Sequence, residues 1–585
     1  MTAHLADPDR NPSFTKGLFL GEIREDLIFP FPEMAKDEKE NLAAVLDAFR
    51  SWAADTVDSA KLDHDGKFSD EVRQGMAELG LMGLGIPEEY GGFGASAMFF
   101  SRMFGEVGAT DAALCVYFGA HQSIGCKGIT LFGTDDQKQR WLPKCATGET
   151  IAAFCLTEAG SGSDAQSMRT TAELSADGTH YLLNGEKIWI SNAGYAGLFT
   201  VFAKVPVEVD GKIKQRVTAF IVDAHAAGIT LGAAEQKMGI KASDTRTISF
   251  VNVKVPVEDR IGDVGHGFKI ALEILNSGRL GLAAASTRGA QRVLEMALAY
   301  AKQREQFGRP IGSFEMLQRK FAIGAADIYA SDAGWMLTAA MVDRGGIDFS
   351  LETAACKVFG SELVFRASSD AQQIAGGIGY SKDYPYERAL RDSRINLIFE
   401  GTNEILRALI ALSGLQQPGE HLKAIGKAFK DPINSLGAIG SYIGGRVKRQ
   451  LVKPEFTKMH AMFSEEAEMV TTVIHDLAVN VEQALIEHGK DIIERQFLQE
   501  RMANAVIDIY LSTAALSRAT SAIATKGEAG AAADINHTRI FVPMAMRRAR
   551  RAVRALAKNQ DARLSALALK ALESGKLSVP LPIEE

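Results

Sequence analysis

The sequence of 585 residues is too long for one compact core and suits about three or four domains. Apolar residues make up 46% and charged residues 23%, which is the composition of an ordinary globular protein. The net charge of −7 argues against a global attraction to nucleic acid or to membranes. The cysteines are five, an odd number, and no two form a CxxC pair. We therefore expect no disulfide framework and no metal site, and a reducing compartment.

Targeting signals are not evident in the sequence. No apolar run approaches the ~20 residues of a membrane span. Residues 1–11 lack the apolar core of a secretory signal and the Arg-rich amphipathic character of a transit peptide. We expect a cytoplasmic bacterial protein, or one of the mitochondrial matrix if the source is eukaryotic.

In the first half of the chain, the spacing at which apolar residues recur changes twice. Residues 1–37 include aromatic and proline residues at 29–32 that break helices, and we expect an extended N-terminal arm. Residues 38–150 have apolar side chains at helical spacing and predict a helical domain. Residues 151–262 predict a small all-β domain, because β-branched and aromatic runs alternate with short turns at 181–187, 199–205, 217–222 and 247–253.

The second half returns to a helical pattern. Residues 263–415 predict a helical bundle, with one helix around 270–275 and another from 293 to 307 before Pro310. Residues 416–455 predict a basic amphipathic linker that begins near Pro418, and residues 456–585 predict a C-terminal helical domain. The order helical, β, helical leaves crevices between domains where a cofactor can bind.

Glu400 is the most informative single residue. It follows an apolar run and stands directly before Gly401 and Thr402. A carboxylate in this position can face an apolar cavity, and burial raises its pKa and makes it a proton-abstracting base. The alternative is an ordinary helix-start glutamate that stabilises a helix dipole.

Two segments of the β domain have the side chains to meet a planar ring. Residues 157–164 carry hydroxyls and two glycines, which suit a heteroaromatic edge or a phosphate; a plain Ser/Gly loop is the alternative. Trp189 and Ser191 are two residues apart, so we expect both on the same side of a strand. Trp189 would cover a flat ring and Ser191 would donate to it, unless Trp189 only fills the core.

Two segments of the helical bundle are candidates for phosphate or backbone contacts. Arg304 at a helix end suits a pyrophosphate, although a lone surface arginine is commoner. The glycines of residues 373–380 allow close approach of a ligand. Because no strand precedes them and the GxGxxG spacing is absent, a Rossmann site is excluded.

These segments, in this order, resemble the acyl-CoA dehydrogenase family of flavoenzymes. Residues 157–164 and 373–392 match its two signature regions, and residues 400–402 match its catalytic-base segment. The likeness is greatest to the very-long-chain subgroup, through residues 119–125, 237–243 and 398–407 and the extra C-terminal region.

The resemblance implies a fold of the α+β class that is mainly α. It would consist of an N-terminal helical domain, a middle β-barrel-like domain, a C-terminal four-helix bundle and an extra C-terminal helical domain. FAD would lie between the domains.

The resemblance also implies a reaction, the FAD-dependent α,β-dehydrogenation of long-chain fatty acyl-CoA to trans-2-enoyl-CoA in fatty acid β-oxidation. Glu400 would abstract the α-proton while a hydride passes to flavin N5. The Glu400 backbone N–H and a ribityl hydroxyl of FAD would polarise the thioester carbonyl. Some members carry the base at the position of Gly278, and because glycine is no base, Glu400 has no rival.

The resemblance assigns further site residues. FAD would be bound by Thr157, Ser163, Trp189, Ser191, Arg304, Phe307, Gln373, Gly376, Gly377, Thr402 and Glu404. The substrate would contact Gly119, Ala120, Ser163, Arg279 and Gly401. Four of the FAD ligands would reach the cofactor of a neighbouring subunit, so a homodimer is expected. The small Gly119 and Ala120 predict a deep pocket for long acyl chains.

Partners and alternatives complete the prediction. Electrons would pass to an electron-transfer flavoprotein; an acyl-CoA oxidase, or a non-catalytic assembly protein on the same fold, stays open. The basic residues 418–453 are either a solvated linker or an element that contacts a membrane surface, and the resemblance favours the membrane. The basic stripe on residues 547–558 predicts a solvated or ion-paired helix face and no nucleic-acid site.

Overall fold

The computed structural model describes residues 11–428, 452–577 and 579. The chain divides into two compact units. The larger is built mainly from Glu25–Leu406 and Tyr510–Phe541, and the smaller mainly from Arg407–Ile509. No helix among the described residues is both long and apolar enough to cross a membrane.

The N-terminal segment is helical in two places, α1 (Phe14–Leu18) and α2 (Glu25–Ile28). Phe14, Leu18 and Ile28 are fully buried. One helical turn satisfies part of the backbone internally while these apolar side chains leave water, which favours it over an extended chain. The expectation of an extended arm was therefore wrong over these residues.

A helical domain follows, as predicted. Its helices are α3 (Lys36–Thr56), α4 (Ser59–Asp65), α5 (Asp70–Glu78), α6 (Ala97–Thr110), α7 (Ala112–Gly119), α8 (Lys127–Phe132) and α9 (Asp135–Ala146). A π-helical turn, Ala120–Gly125, joins α7 to α8. Five of these helices start at a side-chain cap; for example, Asp111 accepts from Leu114 N at 2.8 Å, and Thr134 forms a capping box with Gln137.

The middle domain is a mixed sheet. Its strands are β1 (Ile151–Cys155), β2 (Thr171–Leu174), β3 (His180–Ser191), β4 (Ala196–Val209), β5 (Lys212–Asp223), β6 (Ile229–Leu231), β7 (Thr245–Pro256) and β8 (Arg260–Ile261). They are paired in the order β6-β7-β3-β2-β4-β5-β8, and β1 pairs parallel to β4. Each of the four runs predicted as strands lies inside a strand of this sheet.

The two faces of β4 belong to different cores because side chains alternate along a strand. Leu198 and Phe202 pack in one cluster with Ile270 and Ile274 of the following helix. Phe199 and Val201 point to the other cluster, which is built from residues of the middle domain. Among the described residues, β4 therefore packs on the helical bundle through the face of Leu198 and Phe202.

The bundle domain is built on the long helices α10 (Gly267–Gln303), α11 (Glu315–Arg344) and α12 (Ser350–Ala375), followed by the short helices α13 (Gly377–Tyr380) and α14 (Tyr386–Arg394). A small hairpin, β9 (Glu305–Gln306) and β10 (Arg309–Pro310), follows α10. The prediction of two helices within residues 267–307 was wrong, because α10 is continuous and ends at Gln303. Small buried residues recur along it, so it packs closely on α12: a Cβ on Gly360 would lie 3.2 Å from the Ala283 carbonyl oxygen.

The C-terminal region is helical. Its helices are α15 (Asn403–Ala428), α16 (Ser464–His488), α17 (Gln496–Gly530), α18 (Ala532–Ala557) and α19 (Asp561–Ser574). Helix α15 continues through Pro418, where the sequence suggested a new region. Residues 429–451, most of the predicted basic linker, lie outside the described residues.

Candidate active site

Glu400 stands in a turn between the 3-10 helix Ile395–Leu397 and α15. Its φ is 59° and that of Gly401 is 91°. A non-glycine residue in the left-handed region is uncommon, and the conformation costs about 1–3 kcal/mol where the surrounding structure enforces it. Glu400 is therefore not a first-turn residue of α15, which begins at Asn403.

The Glu400 carboxylate is buried, and its Oε2 has no hydrogen-bond partner among the described residues. Burial raises the pKa of this carboxyl to about 7, against the opposing effect of the Arg279 and Lys357 cations. A base whose pKa lies near neutrality combines basicity with a substantial ionised fraction. The carboxyl therefore has the properties that the sequence predicted for it.

Two buried cations hold the backbone around Glu400. Arg279 Nε donates to the Glu400 carbonyl oxygen at 3.2 Å, and Lys357 Nζ donates to the Gly401 carbonyl oxygen at 2.8 Å. Lys357 also donates to Asn403 Oδ1 at 2.9 Å, and Arg279 to Asn276 Oδ1 at 3.1 Å. These bonds fix the turn while they leave the carboxylate oxygen Oε2 free.

Gly278 leaves the space that the carboxylate needs. A Cβ at Gly278 would lie 2.8 Å from Glu400 Oε2 and 3.1 Å from Ile124 Cγ2. Any larger residue would therefore displace the carboxylate or the isoleucine. The position that the sequence excluded as a rival base is also the position that must stay small for Glu400.

A cavity of about 370 Å³ opens from Glu400. One wall is a face of α10, on which the lining residues recur at helical spacing from Gly278 through Leu282, Ala285 and Gly289 to Met296. The opposite walls contain the residues Gly108, Gly119, Ala120, Ser191, Asp392 and Phe399. Gly119 and Ala120, the predicted substrate contacts, therefore share one cavity with Glu400. The same cavity contains Ser191, a predicted cofactor ligand.

The predicted ring-binding residues of the β domain lie at one end of the sheet. Ile188 N donates to the Thr157 carbonyl oxygen at 2.9 Å. Trp189 has a φ of 57°, and the strand register shifts between Lys187 and Ile190. This bulge interrupts the regular alternation from which we expected Trp189 and Ser191 on one side. Trp189 is 62% exposed, so its role as core filler is excluded.

The other predicted cofactor ligands lie on the surface of this chain. Exposed residues of the predicted set are Ser163, Arg304, Phe307, Gln373, Gly376, Gly377 and Glu404. Phe307, at the tip of the β9–β10 hairpin, is 93% exposed and has a φ of 55°. Thr402 Oγ1 accepts from Ile405 N at 3.3 Å and caps α15. None of these residues is part of the described lining of the Glu400 cavity.

Sequence reasoning missed the groups that hold Glu400 in place. Lys357 is fully buried among apolar helix residues, and nothing local in the sequence marks it. Asn403 donates to Ser361 Oγ at 3.1 Å and to Glu362 Oε1 at 3.2 Å, which ties α15 to α12. Asn276 could have been found, because it stands one helical turn before Arg279.

Models of known protein families match most of this chain. The models described as acyl-CoA dehydrogenase N-terminal, middle and C-terminal domains match residues 39–149, 153–253 and 265–415. A further model, ACAD9/ACADV C-terminal domain, matches residues 461–577. The chain belongs to the acyl-CoA dehydrogenase family.

Individual relatives agree with the family models. The chain is 42% identical over 518 residues to the mitochondrial very long-chain specific acyl-CoA dehydrogenase of Bos taurus, covering 87% of this chain and 79% of that protein. It is 34% identical to a probable acyl-CoA dehydrogenase of Bacillus subtilis, covering 90% and 88%.

A crystal structure of an acyl-CoA dehydrogenase complexed with FAD from Bacillus anthracis matches with a TM-score of 0.79 and 31% identity. The match covers 97% of this chain and 95% of that chain. The predicted fold class, the predicted cofactor FAD and the predicted class of enzyme, a flavin-dependent acyl-CoA dehydrogenase, are thereby confirmed.

The side chains of this acyl-CoA dehydrogenase fit a flavin. Trp189 is a large aromatic residue held exposed on strained backbone, which suits packing against a planar ring. Added Cβ atoms at Gly160 and Gly162 would meet nothing within 4 Å, so the adjoining loop is open to a ligand. The hydroxyls of Thr157 and Ser191 supply donors of the kind that ring heteroatoms accept.

The close approach of Gly278 to Glu400 gives a first prediction. We expect Gly278→Ala to lower the rate of flavin reduction by acyl-CoA by about tenfold or more, because the added methyl displaces the carboxylate. Stopped-flow absorbance of the FAD-loaded enzyme measures this rate. Gly419→Ala, on α15 with nothing within 4 Å of its added Cβ, is the matched control. Equal rates for both variants would contradict the steric argument.

The position of Lys357 gives a second prediction. Because Glu400 must be ionised to act as a base, the flavin reduction rate of the unaltered enzyme should rise as pH increases through about 7. Burial lowers the pKa of Lys357 itself to about 7, so this side chain carries part of its charge in the range of the test. Lys357→Met removes that charge, which lowers the pKa of Glu400, so the midpoint should move to higher pH. Lys357→Arg keeps a full charge and should place the midpoint at or below that of the unaltered enzyme. An unmoved midpoint in the methionine variant would refute this coupling.

Proposed function

We propose that this acyl-CoA dehydrogenase converts long-chain fatty acyl-CoA to trans-2-enoyl-CoA, with Glu400 as the base that takes the α-proton. The observation that supports this role is the buried, unpartnered Oε2 of Glu400 at one end of a largely apolar cavity. A carboxylate is a weak base toward carbon, so its environment must supply the remaining driving force. Burial raises its pKa, and exclusion of water strengthens every electrostatic contact with the substrate.

The backbone around Glu400 has a second role in the proposal. The Glu400 N–H would donate to the thioester carbonyl and stabilise the negative charge that develops as the α-proton leaves. Arg279 and Lys357 hold the carbonyl oxygens of Glu400 and Gly401, so this peptide is oriented before the substrate binds. Pre-orientation avoids the cost of ordering the donor during the reaction.

FAD would be held by the residues predicted from the sequence, with Trp189 packed against the ring and the Thr157 and Ser191 hydroxyls at its edge. Acceptance of the hydride from the β-carbon is the chemistry that bound FAD supplies. Ser163 would serve both the cofactor and the substrate, and Thr402 and Glu404 would serve the adenosine end of FAD. The exposure of Trp189, Gly160 and residues 162–164 supports this assignment.

Replacement of the base tests the proposal directly. We expect Glu400→Gln to retain FAD and to bind palmitoyl-CoA, yet to reduce its flavin slower by several orders of magnitude. The loss corresponds to about 5 kcal/mol or more of barrier lowering. Anaerobic bleaching of the flavin by palmitoyl-CoA is the measurement, and Glu420→Gln, an exposed carboxylate, is the control. Normal bleaching by Glu400→Gln would refute the assignment; no bleaching by the unaltered protein would favour a non-catalytic assembly role.

The preference for long chains is supported by the length of the cavity. The lining residues of α10 run from Gly278 to Met296, a rise of about 27 Å at 1.5 Å per residue. Gly119 and Ala120 are small and leave room on the other side of the cavity. Gly119 has no space for a larger residue, because an added Cβ would lie 2.5 Å from the Phe104 ring. A fully extended palmitoyl chain is shorter than this face of α10.

Chain-length dependence provides a separate test. We expect kcat/KM to be higher for palmitoyl-CoA than for octanoyl-CoA. Ala120→Leu should lower the value for palmitoyl-CoA by about tenfold relative to octanoyl-CoA, because displacing two or more buried methylenes costs about 0.8 kcal/mol each. Ala120→Ser, of nearly unchanged volume, is the control. A clear preference of the unaltered enzyme for octanoyl-CoA would contradict the proposal.

A homodimer is part of the proposal. Arg304, Phe307, Gln373 and Gly377 would contact the FAD of a neighbouring subunit, and Gly376, next to Gly377, would also bind FAD. All five are exposed in the single chain, which supports a role at a subunit contact.

The remaining partners stay predictions from the sequence. Electrons would leave to an electron-transfer flavoprotein. The enzyme would be cytoplasmic in a bacterium or in the mitochondrial matrix of a eukaryote, and would attach to a membrane surface through residues 418–453. Mitochondrial relatives support the second location, and the basic composition of residues 418–453 supports the attachment.

A further inference from the structure

The cavity at Glu400 lies between two segments that run in opposite directions. On one side, α10 lines it from Gly278 toward Met296. On the other side, the chain lines it from Glu400 back to Pro385. Tyr386 Oη donates to the Met296 carbonyl oxygen at 3.3 Å, which brings the far ends of both segments together. The cavity therefore has a catalytic end at Glu400 and a distal end at Met296 and Tyr386.

Two guanidinium groups stand at the distal end. Arg292 of α10 and Arg388 of α14 both line the cavity there. Arg292 is exposed and Arg388 is half-buried. Within the described parts of the chain, neither side chain forms a hydrogen bond or an ion pair shorter than 4.0 Å. The distal end of the cavity thus contains two cations that can bind a ligand.

The carboxylates near this end are engaged by backbone groups. Asp111 accepts from Leu114 N at 2.8 Å, and Asp392 accepts from Ile240 N at 2.6 Å. Burial raises the pKa of both, that of Asp392 to about 7, and the charge of Arg388 opposes the shift at Asp111. Asp63, farther along, is paired with Arg391 and Lys241. Among the described residues neither arginine is hydrogen-bonded to these carboxylates, so both guanidinium groups keep donors for a ligand.

We propose that Arg292 and Arg388 bind a carboxylate at the far end of the acyl chain, so that long-chain dicarboxylic acyl-CoA monothioesters are a preferred substrate class. Guanidinium groups form strong charge-assisted hydrogen bonds with carboxylates. A plain methyl end would reach the same place without any contact that uses the two charges. This inference rests on the proposed dehydrogenation at Glu400.

The distance between the two ends selects the chain length. Gly278, beside Glu400, and Arg292 are separated by a rise of about 21 Å along α10. An extended sixteen-carbon diacid has a comparable length, whereas a ten-carbon diacid cannot reach the arginines from the thioester position. The effect of the terminal carboxylate should therefore appear only with long chains.

The test compares the monothioester hexadecanedioyl-CoA with its ω-methyl ester, which has the same chain without the charge. We expect the FAD-loaded enzyme to have a kcat/KM for the acid about tenfold above that for the ester. One charge-assisted hydrogen bond to the terminal carboxylate accounts for a difference of about this size. The variant Arg292→Gln/Arg388→Gln should lower this ratio to near unity. The exposed Arg319→Gln, outside the cavity, should leave the ratio unchanged.

A shorter diacid provides the internal control. This comparison uses only the unaltered enzyme, so it does not depend on how the variants fold. Decanedioyl-CoA and its methyl ester should react with equal kcat/KM. If the sixteen-carbon acid and ester react alike while palmitoyl-CoA reduces the flavin, this inference is overturned and the proposed dehydrogenation stands. If no acyl-CoA reduces the flavin, both fall. An acid preference that survives the double variant also overturns it.

Discussion

The structure depends on one unfavourable arrangement, a buried carboxylate with a free oxygen. A buried polar group without a partner costs about 1–3 kcal/mol, and more when it is charged. Here Oε2 of Glu400 is left unpartnered, although two cations stand close by. Arg279 and Lys357 donate to the neighbouring carbonyl oxygens instead. They enforce the strained turn and keep the carboxyl available for a substrate.

The small residues around the cavity follow from the same constraint. Gly278 must lack a side chain because the carboxylate occupies the space of its Cβ. Farther along α10, Ala285 and Gly289 line the cavity and, because they are small, leave room in it. Glycine weakens a helix by about 0.8–1.0 kcal/mol relative to alanine. The tight packing of α10 on α12 offsets this cost, so one helix can be both a core element and the wall of a channel.

Features encoded in a short stretch of sequence were predicted, whereas features that depend on packing between segments were missed. The strand runs were found because β-branched residues and turns repeat at short range, and Glu400 was found because its segment matches a family motif. The continuity of α10 was missed, since small residues buried on several faces give no clear helical stripe. The bulge at Trp189 was missed for a related reason: the shift arises from pairing with β7 and not from the strand itself.

The sequence by itself determined the order of the domains, the family, the candidate base Glu400 and its neighbour Gly278, because each of these is written in contiguous motifs or in periodic burial. Only the tertiary structure decided that Lys357 and Asn403 hold the turn at Glu400, and that Arg292 and Arg388 line the same cavity. These residues lie far apart along the chain. Their charges meet because α10, α12 and α14 pack together, and no local pattern encodes such a meeting.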